Sequence, residues 1–444
     1  MEDTRQAALA APELLLAPEW TLLPEGPVQG LGVVVRDGLF ADIGPLVDVA
    51  ARHVHLQPLA LPHRLLMPGF VDAHHHLTQS FGKALAFGEP SEIFRRIWVP
   101  LEGSLDAHAL HLSAKLAALE ALRGGFTTVC DAGVRNSAGL QAIAQAAAET
   151  GIRCVLGMIC HDKAALAGAD RFLARRAPQL HPALAVAIPE AVDDALLHAT
   201  SRLAAEAGAV FQVHVNEHLA SVERSLVARG QRPLQHLYAA GALGPQALLA
   251  HCTMLTPDEM LMLRDSGSAV AINPVASPWK GNAVTPSELL SKLGVRLGLG
   301  TDGTRSDGFR LMDAAESNQR LAFGLASGDS VCGGGRPWLD MATRGGADAA
   351  GLGALTGQVV VGRAGDFLIV DLDVPEMTPS WDLRWELVRL ASRAQIESVH
   401  VQGRLRLWQG WPVDWDARAL LDEVRRVASE SVARAPIHKV VQLR

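Results

Sequence analysis

The residues best suited to chemistry stand at the end of one short apolar run. Leu65-Leu66-Met67 leads into Pro68-Gly69-Phe70-Val71-Asp72-Ala73-His74-His75-His76-Leu77. Along a strand, alternate side chains point to the same face, so His74 and His76 aim together while His75 aims away. Two neutral imidazoles side by side form half of a metal site. Taken alone, such a triplet is also compatible with a polar loop in water. Three further segments argue against that bland reading. Phe211-Gln212-Val213-His214-Val215-Asn216-Glu217 is a second apolar strand ending in His, with Glu three residues on. Ala247-Leu248-Leu249-Ala250-His251-Cys252 is a third. Val295-Arg296-Leu297-Gly298-Leu299-Gly300-Thr301-Asp302-Gly303 is a fourth, and it ends in Asp. Four separate strands each deliver a metal-binding or proton-transferring residue at the same end, a joint pattern that chance rarely produces.

Positioning these residues requires a repeating strand–helix scaffold. Apolar strand candidates fall at 65–71, 126–130, 152–158, 183–188, 209–213, 247–250, 268–272 and 295–300, and Ala/Leu-rich stretches with helical spacing, such as 107–122 and 139–149, lie between them. Eight such units predict a closed (β/α)8 TIM barrel, whose catalytic residues belong at the C-terminal ends of the strands. The competing open, doubly wound sheet lacks a GxGxxG after its first strand. The flanks differ in texture. Leu31 to Phe40 carries an Asp37-Gly38 hairpin signal. Short β patterns recur at 357–362, 366–371 and 399–404, and 414–434 reads as an amphipathic helix. The expected organisation is therefore α/β. Residues 63–354 form a metal-dependent catalytic barrel, and 1–62 with 355–444 form a small composite β-sandwich domain ending in that helix. The long connection from Leu77 to Leu105 reads as a binding loop or lid, or as a surface excursion with its own small core.

Composition narrows the function classes. The net charge of −7 over 444 residues argues against a nucleic-acid binder, which needs a basic stripe. Hydrophobic residues make up 49% and charged residues 20%, values of an ordinary folded protein. Cys130, Cys154, Cys160, Cys252 and Cys332 are odd in number and lack CxxC spacing, so they read as reduced thiols of a cytoplasmic protein. Glu2, Asp3, Pro12 and Pro18 argue against a signal peptide, and no run of about 18 apolar residues suits a membrane span. A small-molecule substrate is the expected partner, with no nucleic acid and no membrane; a homo-oligomer is left open.

PGFVDAHHHL, VHVNEH, LLAHC and GLGTDG, in this order, resemble the amidohydrolase superfamily. The resemblance is nearest to the branch of chlorohydrolases and aminohydrolases that holds triazine hydrolases and guanine-type deaminases. It extends over nearly the whole chain, including GQVVVGRAGDFLIVDLD in the second flank. The resemblance implies one divalent metal held by His74, His76, His214 and Asp302. Zinc suits that ligand set, and iron or manganese would also accept it. The metal would lower the pKa of a bound water towards about 7, and the resulting hydroxide would attack an sp2 ring carbon bearing an amino group. The same resemblance implies that Asp302 takes the water's proton and that Glu217 shuttles a proton to a ring nitrogen and helps expel ammonia. His251 would hydrogen-bond the attacking water, and Gln79, three residues beyond His76, would bind the heterocycle.

Members with two metals bridge them by a lysine at the end of the fourth strand. Here that strand reads Ala185-Val186-Ala187-Ile188-Pro189-Glu190, with Lys163 a weak substitute, which favours a mononuclear site. Ile272-Asn273-Pro274-Val275-Ala276-Ser277 departs from the common H-N-P-x-S-N form at three positions. Substrate contacts carried there by relatives do not transfer, while Asn273, Trp279 and Lys280 remain candidates for the pocket wall. His75 reads as a supporting residue, and His161 and His218 lie near strand ends with little claim to be ligands. The expected activity is hydrolytic deamination of an amino-substituted purine, pterin, pyrimidine or triazine. The alternatives are a dechlorinating or N-dealkylating triazine-type hydrolase and a non-catalytic barrel acting as an assembly partner. Glu217 favours ammonia loss, since a poor leaving group needs a proton and chloride does not.

Overall fold

A computed structural model describes residues 2–89, 93–134, 138–328 and 334–440. Cys332 lies outside them. Eight parallel strands form one sheet in sequence order: β1 (Phe70–His75), β2 (Phe126–Val134), β3 (Arg153–Ile159), β4 (Leu180–Val186), β5 (Phe211–Val215), β6 (Ala247–His251), β7 (Ala269–Ile272) and β8 (Arg296–Leu299). A parallel bridge between His75 and Asp302 joins its two ends and closes the barrel. Side chains from six strands, among them Val71, Ala73, Cys130, Val155, Ala183, Leu248 and Ala271, pack together in its interior. Most are small, as a closed barrel of this size requires. Gly300 serves the closure directly: a Cβ there would stand 2.4 Å from Asn273 Oδ1 and 2.8 Å from His74 Cβ.

The helices follow their sequence signals. Ala107–Arg123 starts at Asp106, whose carboxylate accepts from the Ala109 N–H at 2.8 Å, and it stops at Gly124-Gly125. Gly139–Thr150 ends at Gly151 in the left-handed conformation. The terminal helix Ala417–Arg434 buries Leu420, Val424 and Val427 and packs on the barrel helix Ala107–Arg123.

Both chain ends build the second layer, a nine-stranded mixed sheet. Its order is 411–412, 404–408, 396–401, 367–371, 59–68, 14–23, 31–36 and 39–45, with 26–29 paired to 14–23. Alternation along each strand splits its two faces. Leu65, Met67, Leu368 and Val370 join the large core shared with the barrel helices. Leu66, Phe367 and Ile369 join Val33, Val35 and Phe40 in the core of the β-sandwich domain. Each such fully buried side chain contributes roughly 1.5–3 kcal/mol.

Two sequence expectations need correction. The apolar run 65–71 is two elements, since the strand Leu59–Pro68 stays in the mixed sheet, past residue 62, and the barrel strand begins at Phe70. Hydropathy cannot reveal that crossing because both strands are buried. The run Val359–Val361 forms no strand. Gly357 and Gly362, both at φ +85°, turn the chain at either end, so that Val359 is buried and Val361 is 54% exposed.

A buried ion pair fastens the two layers. Arg153, at the start of β3, is fully buried and bonds Asp366. Asp366 also accepts from the Thr356 hydroxyl at 2.5 Å and from the Gln402 N–H at 2.8 Å. Asp366→Ala should therefore lower stability by about 3–5 kcal/mol by leaving a buried guanidinium uncompensated. Urea unfolding of the variant beside the parent measures this, and a loss under about 1 kcal/mol would show that the pair does not fasten the layers.

Candidate metal centre and active site

The C-terminal ends of the strands surround a cavity of about 470 Å³, and its wall includes His76, Gln79, Trp98, His214, Glu217, His251, Trp279, Lys280 and Asp302. Several residues at this rim hold left-handed backbone: Asn216 (φ 49°), His251 (φ 73°), Cys252 (φ 49°) and Asp302 (φ 56°). Non-glycine residues in that region cost roughly 1–3 kcal/mol each and concentrate where side chains must be aimed.

Four of the expected residues converge. His76 Nε2 lies 3.2 Å from His214 Nε2 and 3.5 Å from Asp302 Oδ1, and His74 Nε2 lies 3.9 Å from the same oxygen. Ligands about 2.1 Å from one ion stand roughly 3–4 Å apart, so these separations suit a shared ion that keeps a further position for water. The ring nitrogens face inward for chemical reasons. His214 Nδ1 is 2.8 Å from the Ala187 carbonyl, which only accepts, so Nδ1 carries the proton and Nε2 offers its lone pair. His74 Nε2 is buried with no hydrogen-bond partner, an arrangement that costs free energy unless a cation takes the lone pair. Among the described residues, two groups could hold a metal, His74–His76–His214 and His74–His251–Asp302, and they share His74. Burial and the surrounding imidazoles push His74 well below the usual histidine range, so it is neutral as a ligand must be. The residues present therefore fit a divalent ion.

The proton-transfer candidates occupy the cavity side of this cluster. Glu217 Oε2 lies 3.7 Å from His251 Nε2, and Glu217 Oε1 receives a hydrogen bond from Lys280 Nζ at 3.0 Å. Burial alone would raise the Glu217 carboxyl, but His251 and Lys280 beside it hold it below its ordinary range. Burial pushes His251 down to about 4. Its Nδ1 accepts from the Asn273 amide at 3.0 Å, so the proton of the neutral ring sits on Nε2, facing Glu217. Asp302 Oδ1 accepts from the Gly303 N–H at 2.7 Å, and Oδ2 accepts from Lys280 Nζ at 2.5 Å. Gln79 is 5% exposed, and its Oε1 has no protein partner. Trp98 and Trp279 stand 6.4 Å apart between ring centres and supply flat walls.

The remaining sequence candidates fall elsewhere. His75 turns from the cluster to Thr301 Oγ1 at 2.7 Å. His161 is exposed beside Asp162. His218 caps the helix Leu219–Arg229 by accepting from the Ser221 N–H and borders the cavity. Glu190 accepts from Ser221 Oγ at 3.0 Å. The segment 77–105 folds as the short helical turn Leu77–Gln79 and helical residues from 93 onward, and its Trp98 forms part of the cavity wall. Sequence reasoning missed Asp72, whose carboxylate accepts from the Thr301 N–H at 2.9 Å, the Thr301 hydroxyl and the His74 N–H at 3.2 Å. Its position two residues before His74, on the same strand face, was the available signal. The contact of Lys280 with both Glu217 and Asp302 had no signal in sequence.

The comparisons with known proteins agree with this geometry. The chain is 28% identical to a 5-methylthioadenosine/S-adenosylhomocysteine deaminase of Syntrophobacter fumaroxidans, over 92% of this chain and 95% of that one. It is also 28% identical to a 5'-deoxyadenosine deaminase of Methanothermobacter thermautotrophicus, over 89% and 93%. Its structure resembles a zinc-bound adenosine deaminase from Xanthomonas campestris, with TM-score 0.84 and 25% identity over 95% of this chain and 98% of that one. It shares its fold with a zinc-complexed atrazine chlorohydrolase from Arthrobacter aurescens, with TM-score 0.81 and 20% identity over 94% and 100%. The amidohydrolase family model matches residues 65–406, a span that holds all eight barrel strands and every residue of the cluster. The chain therefore belongs to the amidohydrolase family.

Proposed function

We propose that this protein is a hydrolytic deaminase of an amino-substituted N-heterocycle and that His74, His76, His214 and Asp302 hold one divalent ion, zinc. The observation that carries the reading is Glu217, whose ionised carboxylate faces the cavity beside this four-residue shell. The end of the fourth strand, Val186-Ala187-Ile188-Pro189-Glu190, carries no lysine to bridge a second ion, which supports a single one. When bound, the ion supplies a water acidic enough to act as a nucleophile near neutral pH.

The chain's own residues do the rest. Asp302 and Glu217 are both ionised and can accept the proton of the attacking water. Glu217 then passes a proton to the ring nitrogen next to the attacked carbon, the proton left on the added hydroxyl moves to the amino group, and that group leaves as ammonia while the carbon becomes a carbonyl. His251 donates its Nε2–H to the transferred oxygen as charge develops there. Trp98 and Trp279 offer a wall for a planar ring to pack against, and the Gln79 amide pairs with its polar edge. The cavity is of the size that takes a base or a nucleoside. Because the relatives above are named for adenine nucleosides, 6-aminopurine nucleosides are the first class to test, followed by free aminopurines, aminopterins, cytosines and aminotriazines. Ammonia release by the zinc-loaded protein is the readout, and no release across that panel would overturn the reading.

Two variants separate the roles. His214→Ala should lose metal and activity together, as measured by metal content and ammonia release; full activity in the metal-free variant would refute the ligand assignment. Glu217→Gln should keep its metal and lose about 10²- to 10⁴-fold in turnover of an amino substrate, the usual share of general acid–base catalysis. A matched chloro substrate should lose less, since chloride departs without a proton. Equal turnover of the amino substrate by variant and parent would show that Glu217 moves no proton.

A further inference from the structure

One buried cation in this site has no part in the steps just described. Lys280 lies directly after the short helix Ala276–Trp279, beyond β7, and its N–H bonds the Ala276 carbonyl at 3.0 Å. The side chain runs back to the rim. Its Nζ stands 2.5 Å from Asp302 Oδ2, 3.0 Å from Glu217 Oε1 and 5.3 Å from the centre of the Trp98 ring. Three groups on three different elements therefore surround one ammonium. Two are carboxylates that the proposed reaction needs ionised and close together, a placement that their mutual repulsion opposes.

We propose that Lys280 is a positioning residue that clamps Glu217 against Asp302. The clamp rests on the deaminase reading for its chemical purpose, but its geometry stands independently. By taking Asp302 Oδ2, Lys280 leaves Oδ1 as the oxygen facing His74 and His76. By taking Glu217 Oε1, it leaves Oε2 as the oxygen facing His251 Nε2. Glu217 is thus turned so that one oxygen is held and the other works, while Asp302 Oδ2 anchors the ammonium. The centre of the Trp98 ring lies 5.3 Å from the ammonium and adds a cation–π contact to the two carboxylates. Asp302 does not depend on the clamp for its place, because the Gly303 N–H holds Oδ1 and the Asp302 N–H bonds the His74 carbonyl at 2.8 Å.

This division predicts a signature that simple loss of packing would not give. Lys280→Met keeps most of the side-chain volume and removes the charge. With its competing cation gone, Asp302 should bind the metal more tightly, with a zinc dissociation constant at least about threefold lower in chelator competition. Turnover should fall about tenfold or more with KM within about threefold, since the loss is one of alignment. In a Glu217→Gln background the same substitution should cost little further turnover, because Lys280 acts through Glu217. Lys280→Arg, which keeps the charge, should hold the parent's zinc affinity and recover part of the turnover. If Lys280→Met does not fold, Lys280→Gln is read in the same way. Weakened zinc binding in the neutral variant, unchanged turnover, or a full loss repeated in the Glu217→Gln background would each overturn the clamp. If the parent releases no ammonia from any substrate, the deaminase reading fails, and the zinc measurement alone still decides the clamp.

Discussion

The mouth of this barrel depends on how its first strand meets its last. Asp72 on β1 takes both the N–H and the hydroxyl of Thr301, and the Asp302 N–H returns a bond to the His74 carbonyl. His75 adds a bond to Thr301. These contacts are buried and short, so the register between β1 and β8 is fixed at the level of single residues. A slip of one residue would turn the alternating side chains to opposite faces and break up the set of His74, His76 and Asp302. Gly300 belongs to the same constraint, since any side chain there would meet His74 and Asn273. The ligand shell is thus a consequence of barrel closure, and His214 completes it from β5 on the far side.

Closure gathers charge as well as ligands. Asp302 and Glu217 are held ionised at the wall of the cavity, and a largely buried cation, Lys280, stands between them. The imidazoles are neutral for the opposite reason, because burial strips them of protons that water would otherwise stabilise. Acceptors and lone pairs therefore face one small volume. That is the arrangement a divalent cation satisfies, and it is unfavourable without one. Trp98 and Trp279 add apolar surface to the wall of the same volume.

Much of this was legible in the sequence because four of the barrel strands end at or just before a functional residue. The period-two pattern placed His74 with His76, and four apolar runs ending in His, His, His or Asp gave the cluster its membership. Helical spacing placed the helices at 107–122 and 139–149, close to the observed Ala107–Arg123 and Gly139–Thr150, because that signal is local. What stayed hidden was tertiary. The passage from one sheet to another at Pro68-Gly69 leaves no mark in hydropathy, because the strands on both sides are buried. Val359–Val361 looks like a strand and is not one, since the two glycines around it turn the chain. Lys280 illustrates the same limit at the site. Sequence put it near the pocket wall, but its contacts with Glu217 after β5 and Asp302 after β8 exist only after the barrel has closed.

The most direct test of this account is anomalous diffraction at the zinc edge from crystals of the zinc-loaded protein. The account predicts one peak, about 2.0–2.2 Å from His74 Nε2, His76 Nε2, His214 Nε2 and Asp302 Oδ1. A peak held by another set of side chains, or no peak in this cavity, would contradict it.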